Sequence, residues 1–189
     1  FAAWSRTRGI EALLDPVADE AALQTLLVTG GDIVDLAYPC HVARGRMVRT
    51  GLTLTDEYRP PTWEDARLGD DLRIADLVVD GRLTADEIRA AGRGRDRLVV
   101  LRTLCIEGDA MPSATLIEGC QDTGARAVLL ARWGSLGDPA ATDVLLREVY
   151  AGFLDGRPIG AALRDARRDY VERGGSAAAA ASWAVCVRP

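Results

Sequence analysis

Cys105 follows an apolar run that begins at Arg97, just after the polar turn at 92–96. A short run rich in Val and Leu is typical of a strand that is covered on both faces of a sheet. In open α/β sheets the functional groups lie just beyond the carboxyl ends of such strands, and Cys105 occupies that place. Because free cysteine is among the most buried residue types, this position alone is more often explained by packing than by catalysis.

The only histidine of the chain, His41, follows Cys40 just after a second short apolar segment, 33–37. Together with Cys105 and Cys120, these residues have side chains of the kind that bind zinc. Zinc ligands usually come in closely spaced pairs, and no two cysteines of this chain form such a pair. The sequence therefore predicts no metal site, and we expect no cofactor.

Strands and helices alternate along the chain and must bring these residues to one edge of a sheet. Strands are predicted at 33–37, at 51–56, at 72–79, before Cys105, at 127–131 and at 183–187. Helices are predicted at 15–29, 84–91, 113–121, 138–154 and 158–173, and a surface excursion at 57–71. Thr84 and Glu87 have the spacing of a capping box at the second helix. The alternation predicts an α/β fold in which a central, mostly parallel sheet is flanked by helices.

The composition is typical of one globular domain, with 48 % hydrophobic and 27 % charged residues in a chain of 189. A formal net charge of −5 argues against non-specific binding to nucleic acid or to anionic membranes, and we expect neither as a partner. All 23 basic residues are Arg, which indicates the coding bias of a GC-rich bacterial genome and carries no function by itself.

Four cysteines are spread along the chain without the density of a disulfide-stapled secreted domain, so we expect a reducing, cytoplasmic location. The sequence contains no signal peptide and no apolar run of about eighteen residues, which predicts that it is neither exported nor membrane-spanning. The chain begins at Phe1 and not at Met. We therefore expect residues 1–189 to be one domain, the C-terminal part of a longer polypeptide.

Several segments, taken in order, resemble the CHAT domain, a caspase-like peptidase family of clan CD. The resemblance covers nearly the whole chain. Each segment alone is a weak signal, whereas the ordered set is fairly specific. The matching segments are 51–56, 81–88, 98–101, 124–128 with Trp133 and Asp138 after it, 161–166 and 182–184.

The resemblance implies a caspase-like three-layer domain and a catalytic dyad of His41 and Cys105. In such a dyad the imidazole takes the proton of the thiol, and the thiolate attacks a peptide carbonyl. Backbone amides near Gly108 would stabilise the oxyanion. The resemblance also implies a protein substrate and fused or associated sensor or repeat modules as partners.

Both dyad positions are displaced from the family pattern. An ungapped match puts Pro39 where the family has its histidine, and His41 lies two residues late. The same kind of match puts Leu104 at the nucleophile position, one residue before Cys105. Counting back from Gly108 as the glycine of the family's Cys-x-Thr-Gly pattern instead restores Cys105 as the nucleophile.

Two interpretations follow from these displacements. In the first, a bulge or an early exit at the strand ends brings His41 and Cys105 together, since side chains alternate faces along a regular strand. In the second, Pro39 and Leu104 have replaced the dyad, and the domain is an inactive pseudo-peptidase that serves as a protein-interaction or signalling module. A flavodoxin-like small-molecule binder is a third hypothesis.

Overall fold

A computed structural model describes most of the chain, and its described residues form seven strands and six helices. The described ranges are 20–37, 40–41, 51–53, 82–102, 113–131 and 139–188. The strands are β1 (Ile33–Leu36), β2 (Cys40–His41), β3 (Gly51–Thr53), β4 (Arg82–Thr84), β5 (Arg97–Leu101), β6 (Ala125–Ala131) and β7 (Trp183–Val187). The helices are α1 (Glu20–Thr29), α2 (Ala85–Ala90), α3 (Ser113–Asp122), α4 (Pro139–Leu154), α5 (Ile159–Glu172) and α6 (Ala177–Ala181).

The larger sheet contains four strands in the order β1-β5-β6-β7. The first three strands are parallel, and β7 pairs with β6 in the antiparallel direction. In β1 and β5, Ile33 lies opposite Leu98 and Leu36 lies opposite Leu101. The sheet is thus mostly parallel, as predicted.

Helices cover the larger sheet on both faces, which makes the domain a three-layer structure. All five residues of β5 are buried, as expected of a central parallel strand. Val99 and Leu101 pack in one core with residues of α1, α2 and α3. Leu98 and Val100 point to the opposite face and pack in a second core with residues of α4, α5 and α6. The predicted caspase-like α/β layering is confirmed.

The second sheet, with antiparallel strands in the order β2-β3-β4, was not anticipated as a separate sheet. Its last strand, β4, ends at Thr84, which is also the N-cap of α2. The backbone N–H of Glu87 donates to the Thr84 hydroxyl at 3.3 Å, and that of Thr84 donates to the Glu87 carboxylate at 2.6 Å. The predicted capping box is therefore confirmed.

Within the described residues, the remaining element predictions agree closely with the structure, except that β2, β4 and α6 were not predicted. Residues 15–19 of the first predicted helix and 54–56 of the strand predicted at 51–56 lie outside the described residues. Gly156 follows α4 with a positive φ of 80°, a conformation that ends a helix. The alanine run of α6 forms a short helix that the sequence analysis did not assign, with the Ser176 hydroxyl accepting from the Ala179 N–H at 3.3 Å. The predicted strand at 72–79 and the excursion at 57–71 lie outside the described residues. Within the described ranges, no helix has both the length and the apolar character needed to cross a membrane.

Candidate active site

The carboxyl ends of β1 and β5 lie side by side in the larger sheet. Leu36 is the register partner of Leu101, and the backbone N–H of Arg102 donates to the Leu36 carbonyl at 2.8 Å. The pairing between these two strands is regular along their whole length. The segments that lead to the predicted histidine and cysteine therefore start from the same edge of the sheet.

The two predicted dyad residues differ in how far the structure describes them. The backbone of His41 belongs to β2 of the second sheet, where it pairs with Gly51. The chain has thus left the larger sheet between the end of β1 and the start of β2. Cys105 lies outside the described residues, as does Gly108. The pairing of His41 with Cys105 therefore stays a prediction.

At this same edge, Arg102 binds two carboxylates from different elements. Its Nε donates to Oδ1 of Asp35 at 2.8 Å, and its Nη2 donates to Oδ2 of Asp35 at 2.6 Å. Its Nη1 donates to Oδ1 of Asp143 at 2.8 Å. Because Asp35 lies in β1 and Asp143 lies in α4, one guanidinium joins two strand ends and a helix.

Tyr150 of α4 completes this group of side chains, and its hydroxyl donates to Oδ2 of Asp35 at 2.7 Å. Tyr150 is fully buried, and the three charged side chains are 15 to 28 % exposed. We refer to Asp35, Arg102, Asp143 and Tyr150 together as the Arg102 network. Bidentate hydrogen bonds between a guanidinium and a carboxylate fix the relative orientation of both groups.

The environment of the Arg102 network keeps its proton donors protonated. Burial disfavours the charged form of Arg102, but the hydrogen bonds and the charge of Asp35 outweigh burial and raise the pKa of the guanidinium. Burial, followed by the charge of Asp35, raises the pKa of the Tyr150 hydroxyl well above its ordinary value. Three nitrogens of Arg102 already donate to carboxylates, so this network is suited to hold its surroundings in place, not to act as an acid or base.

Sequence reasoning missed the Arg102 network, although a signal for it existed. Asp35 and Arg102 are charged residues at the end of apolar strands, where a side chain buried on a sheet face needs a partner. Strand alternation places Asp35 on the face of Ile33, and Arg102 on the face of Val100. Both side chains therefore point toward α4, but only the register between β1 and β5 brings them within bonding distance.

The structure describes the side chains of two cysteines, Cys120 and Cys186, and Cys120 is a poor candidate for a nucleophile. Cys120 is free and completely buried, and burial raises the pKa of its thiol to about 12. Cys186 is free and half-buried in β7. Among the residues that the structure describes, no group of three or more His, Cys, Asp or Glu side chains is arranged to hold a metal ion.

In a comparison with known families, the model of the CHAT domain matches residues 1–188. Among curated proteins, none matches the chain significantly. The match covers the strands and helices described above and includes the segments that carry His41 and Cys105.

Proposed function

This chain belongs to the CHAT domain family, and on that premise we propose that it is a cysteine endopeptidase with Cys105 as nucleophile and His41 as general base. Its family and its three-layer α/β fold are those of a caspase-like, peptidase-related domain. The observation that carries the proposal is the regular pairing of β1 with β5, which starts both functional segments from one sheet edge.

In the proposed reaction, the imidazole of His41 accepts the proton of the Cys105 thiol, and the thiolate attacks the carbonyl carbon of a substrate peptide bond. The tetrahedral intermediate collapses to a thioester as the leaving amine takes the proton from the imidazolium. Water then hydrolyses the thioester, releases the carboxylate product and regenerates the thiol. The proposal includes a protein substrate and control by fused or associated sensor modules, in a cytoplasmic setting.

A second candidate function is that of an inactive pseudo-peptidase that binds protein partners. The register between β1 and β5 favours it in one respect, because the pairing has no bulge as far as Arg102, the last described residue of this segment, and a bulge is one way to bring Cys105 into the position of Leu104. On this alternative, Pro39 and Leu104 occupy the two dyad positions, and neither residue can transfer a proton or attack a carbonyl.

Competitive alkylation of the native protein near pH 6, with peptide mapping of every cysteine, separates these two functions. At that pH roughly 0.3 % of a thiol with an ordinary pKa is ionised, so an activated thiol reacts about 100-fold faster. We expect Cys105 to react that much faster than Cys186, and Cys120 to react slowest because it is buried. His41→Ala should remove the advantage of Cys105.

Cys186→Ala is the matched control, since it deletes a half-buried thiol in β7 and should leave the rate of Cys105 unchanged. Labelling of Cys105 at the rate of Cys186 in the unaltered protein contradicts the peptidase and supports the interaction module. Fast labelling that survives His41→Ala contradicts the assignment of His41 as the base.

A further inference from the structure

We propose that Arg102 is the positioning residue of this site, holding the ends of β1 and β5 and the helix α4 in the one arrangement from which His41 and Cys105 can meet. This inference rests on the proposed peptidase function. It goes beyond that function by assigning a role to a residue that takes no part in the reaction itself.

The position of the Arg102 network along the chain supports this role. Arg102 is three residues before Cys105, and Asp35 is six residues before His41. The ladder between β1 and β5 reaches the Arg102 N–H, so the guanidinium contacts are made where this ladder meets the segments of the site. Any change in the distance between Asp35 and Arg102 therefore changes the starting points of both segments.

The chemistry of the contacts also favours positioning over simple stability. A partly buried ion pair adds little stability compared with apolar residues of similar volume, because both charges must be desolvated. Elsewhere on the same face, Ile33, Leu98 and Val100 pack against α4 and α5 with apolar side chains alone. The ion pairs instead fix the orientation of the side chains relative to one another, since a guanidinium that binds two carboxylates has only one orientation that satisfies both.

Helix α4 is held from two points, about two turns apart along its length. Asp143 contacts Arg102, the residue directly after β5, and Tyr150 contacts Asp35 of β1. Sliding α4 along the sheet would break both contacts at once. Helix α4 is therefore fixed relative to the ends of β1 and β5, and Arg102 is the residue through which all three elements are connected.

The test measures the alkylation rate of Cys105 against pH in the native protein, in Arg102→Lys and in Arg97→Lys. Lysine keeps the positive charge but cannot bind Asp35 in the bidentate geometry. We expect Arg102→Lys to slow Cys105 at pH 6 by about tenfold or more and to move its profile to higher pH, because small displacements of paired groups have large effects. Arg97 lies at the other end of the same strand, is more deeply buried than Arg102 and donates to backbone carbonyls, so Arg97→Lys should leave the profile of Cys105 unchanged.

Each outcome decides between the two proposals. Slow labelling of Cys105 in the unaltered protein contradicts both the dyad and its positioning residue. Fast labelling that persists in folded Arg102→Lys contradicts positioning alone, and an equal loss in Arg97→Lys would mean that general loosening of β5 is the cause. Should Arg102→Lys not fold, Asp143→Asn takes its place, since it keeps the side-chain shape and removes one charged contact, and retention of the unaltered profile by that variant overturns the proposal.

Discussion

An arginine lies at each end of β5, Arg97 as its first residue and Arg102 directly after its last, and the two arginines have different partners. At the amino end, Arg97 is 1 % exposed and donates to the carbonyls of Leu26 at 3.0 Å and Val28 at 2.6 Å. At the carboxyl end, Arg102 donates to the carboxylates of Asp35 and Asp143. The guanidinium at the amino end thus donates hydrogen bonds to neutral backbone carbonyls, whereas the guanidinium at the carboxyl end balances the negative charge of two carboxylates.

The partners of Arg97 explain why the amino end is purely structural. Leu26 and Val28 belong to the last turn of α1, whose carbonyls carry the negative end of the helix dipole. The Leu26 carbonyl also accepts from the backbone N–H of Gly30 at 2.8 Å. Burial lowers the pKa of Arg97, and no carboxylate bonds to it directly among the described residues. The amino end of β5 therefore serves to close a helix against the sheet.

The backbone is closely packed at the amino end of β5. Gly124 has a φ of 105°, and a Cβ atom there would lie 2.7 Å from the carbonyl oxygen of Gly94. The Gly94 N–H in turn donates to the Thr123 carbonyl at 2.7 Å. The difference between the two ends lies in the burial of their ion pairs: those of Arg102 are partly buried where the segments of the candidate site begin, whereas the Arg95–Asp32 pair at the amino end is exposed.

The largest expected effect comes from removing the guanidinium at each end. Arg102→Met should lower the free energy of unfolding by about 3–5 kcal/mol, because it leaves two partly buried carboxylates without their cation. Arg97→Met should lower it by about 2 kcal/mol, because the lost partners are neutral carbonyls. Urea unfolding of both variants measures the difference.

A second substitution separates charge from packing at the carboxyl end. Adding Asp35→Asn to Arg102→Met should restore part of the lost stability, because it removes one of the unpaired charges. No such restoration is available to Arg97→Met, since its carbonyl partners are part of the backbone. If Asp35→Asn lowers the stability of Arg102→Met further, unpaired carboxylate charge is not the reason why Arg102→Met is less stable than Arg97→Met.

We expect alkaline pH to lower the free energy of unfolding by an intermediate amount. We assign most of this loss to Cys120, which lies near the amino end of β5. Cys120 lies beneath that end, where its carbonyl accepts from the Thr123 hydroxyl at 2.7 Å. Burial raises the pKa of Cys120 to about 12, so the folded state holds this proton more tightly than the unfolded state. The contribution of this thiol to the free energy of unfolding is fully present below the ordinary thiol pKa. It decreases as pH rises above about 8.5, and about 2 kcal/mol is lost at pH 10.

Tyr150 at the carboxyl end has a raised pKa as well, but its loss begins only near the ordinary phenol pKa and amounts to about 0.4 kcal/mol at pH 10. Comparing urea unfolding at pH 7.5 and pH 10, we expect Cys120→Ala to remove most of the difference and Tyr150→Phe to remove little of it. A pH dependence that is unchanged in Cys120→Ala would show that another group controls the alkaline loss.

The smallest expected effect isolates one hydrogen bond of the Arg102 network. Tyr150→Phe deletes the hydroxyl that donates to Asp35 and should destabilise the protein by about 1 kcal/mol. Tyr170→Phe is the matched control on α5, where the hydroxyl has no hydrogen-bond partner among the described residues, and it should change stability by less than about 0.5 kcal/mol. Thermal or urea unfolding measures both changes. Equal losses of stability in the two variants would show that the hydrogen bond from Tyr150 to Asp35 does not contribute to stability.

The elements that the sequence predicted correctly depend on neighbouring residues. The buried run of β5, the capping box of Thr84 and Glu87, and the helix that starts at Pro139 each follow from residues within a few positions of one another. Two strands of the second sheet, β2 and β4, escaped prediction because they are only two or three residues long, too short for a periodic pattern. The short helix α6 was missed because a run of alanines has no apolar stripe.

For this protein the sequence alone determined the family and the alternation of strands and helices, because both follow from local residue types and their order. The dyad of His41 and Cys105 is implied by the family resemblance and stays a prediction. Only the tertiary structure decided that Asp35, Arg102 and Tyr150 meet at one sheet edge. Asp35 is 67 positions from Arg102 and 115 positions from Tyr150, so no local pattern relates them. Their contact depends on strand order and register, which the packing of the whole domain selects.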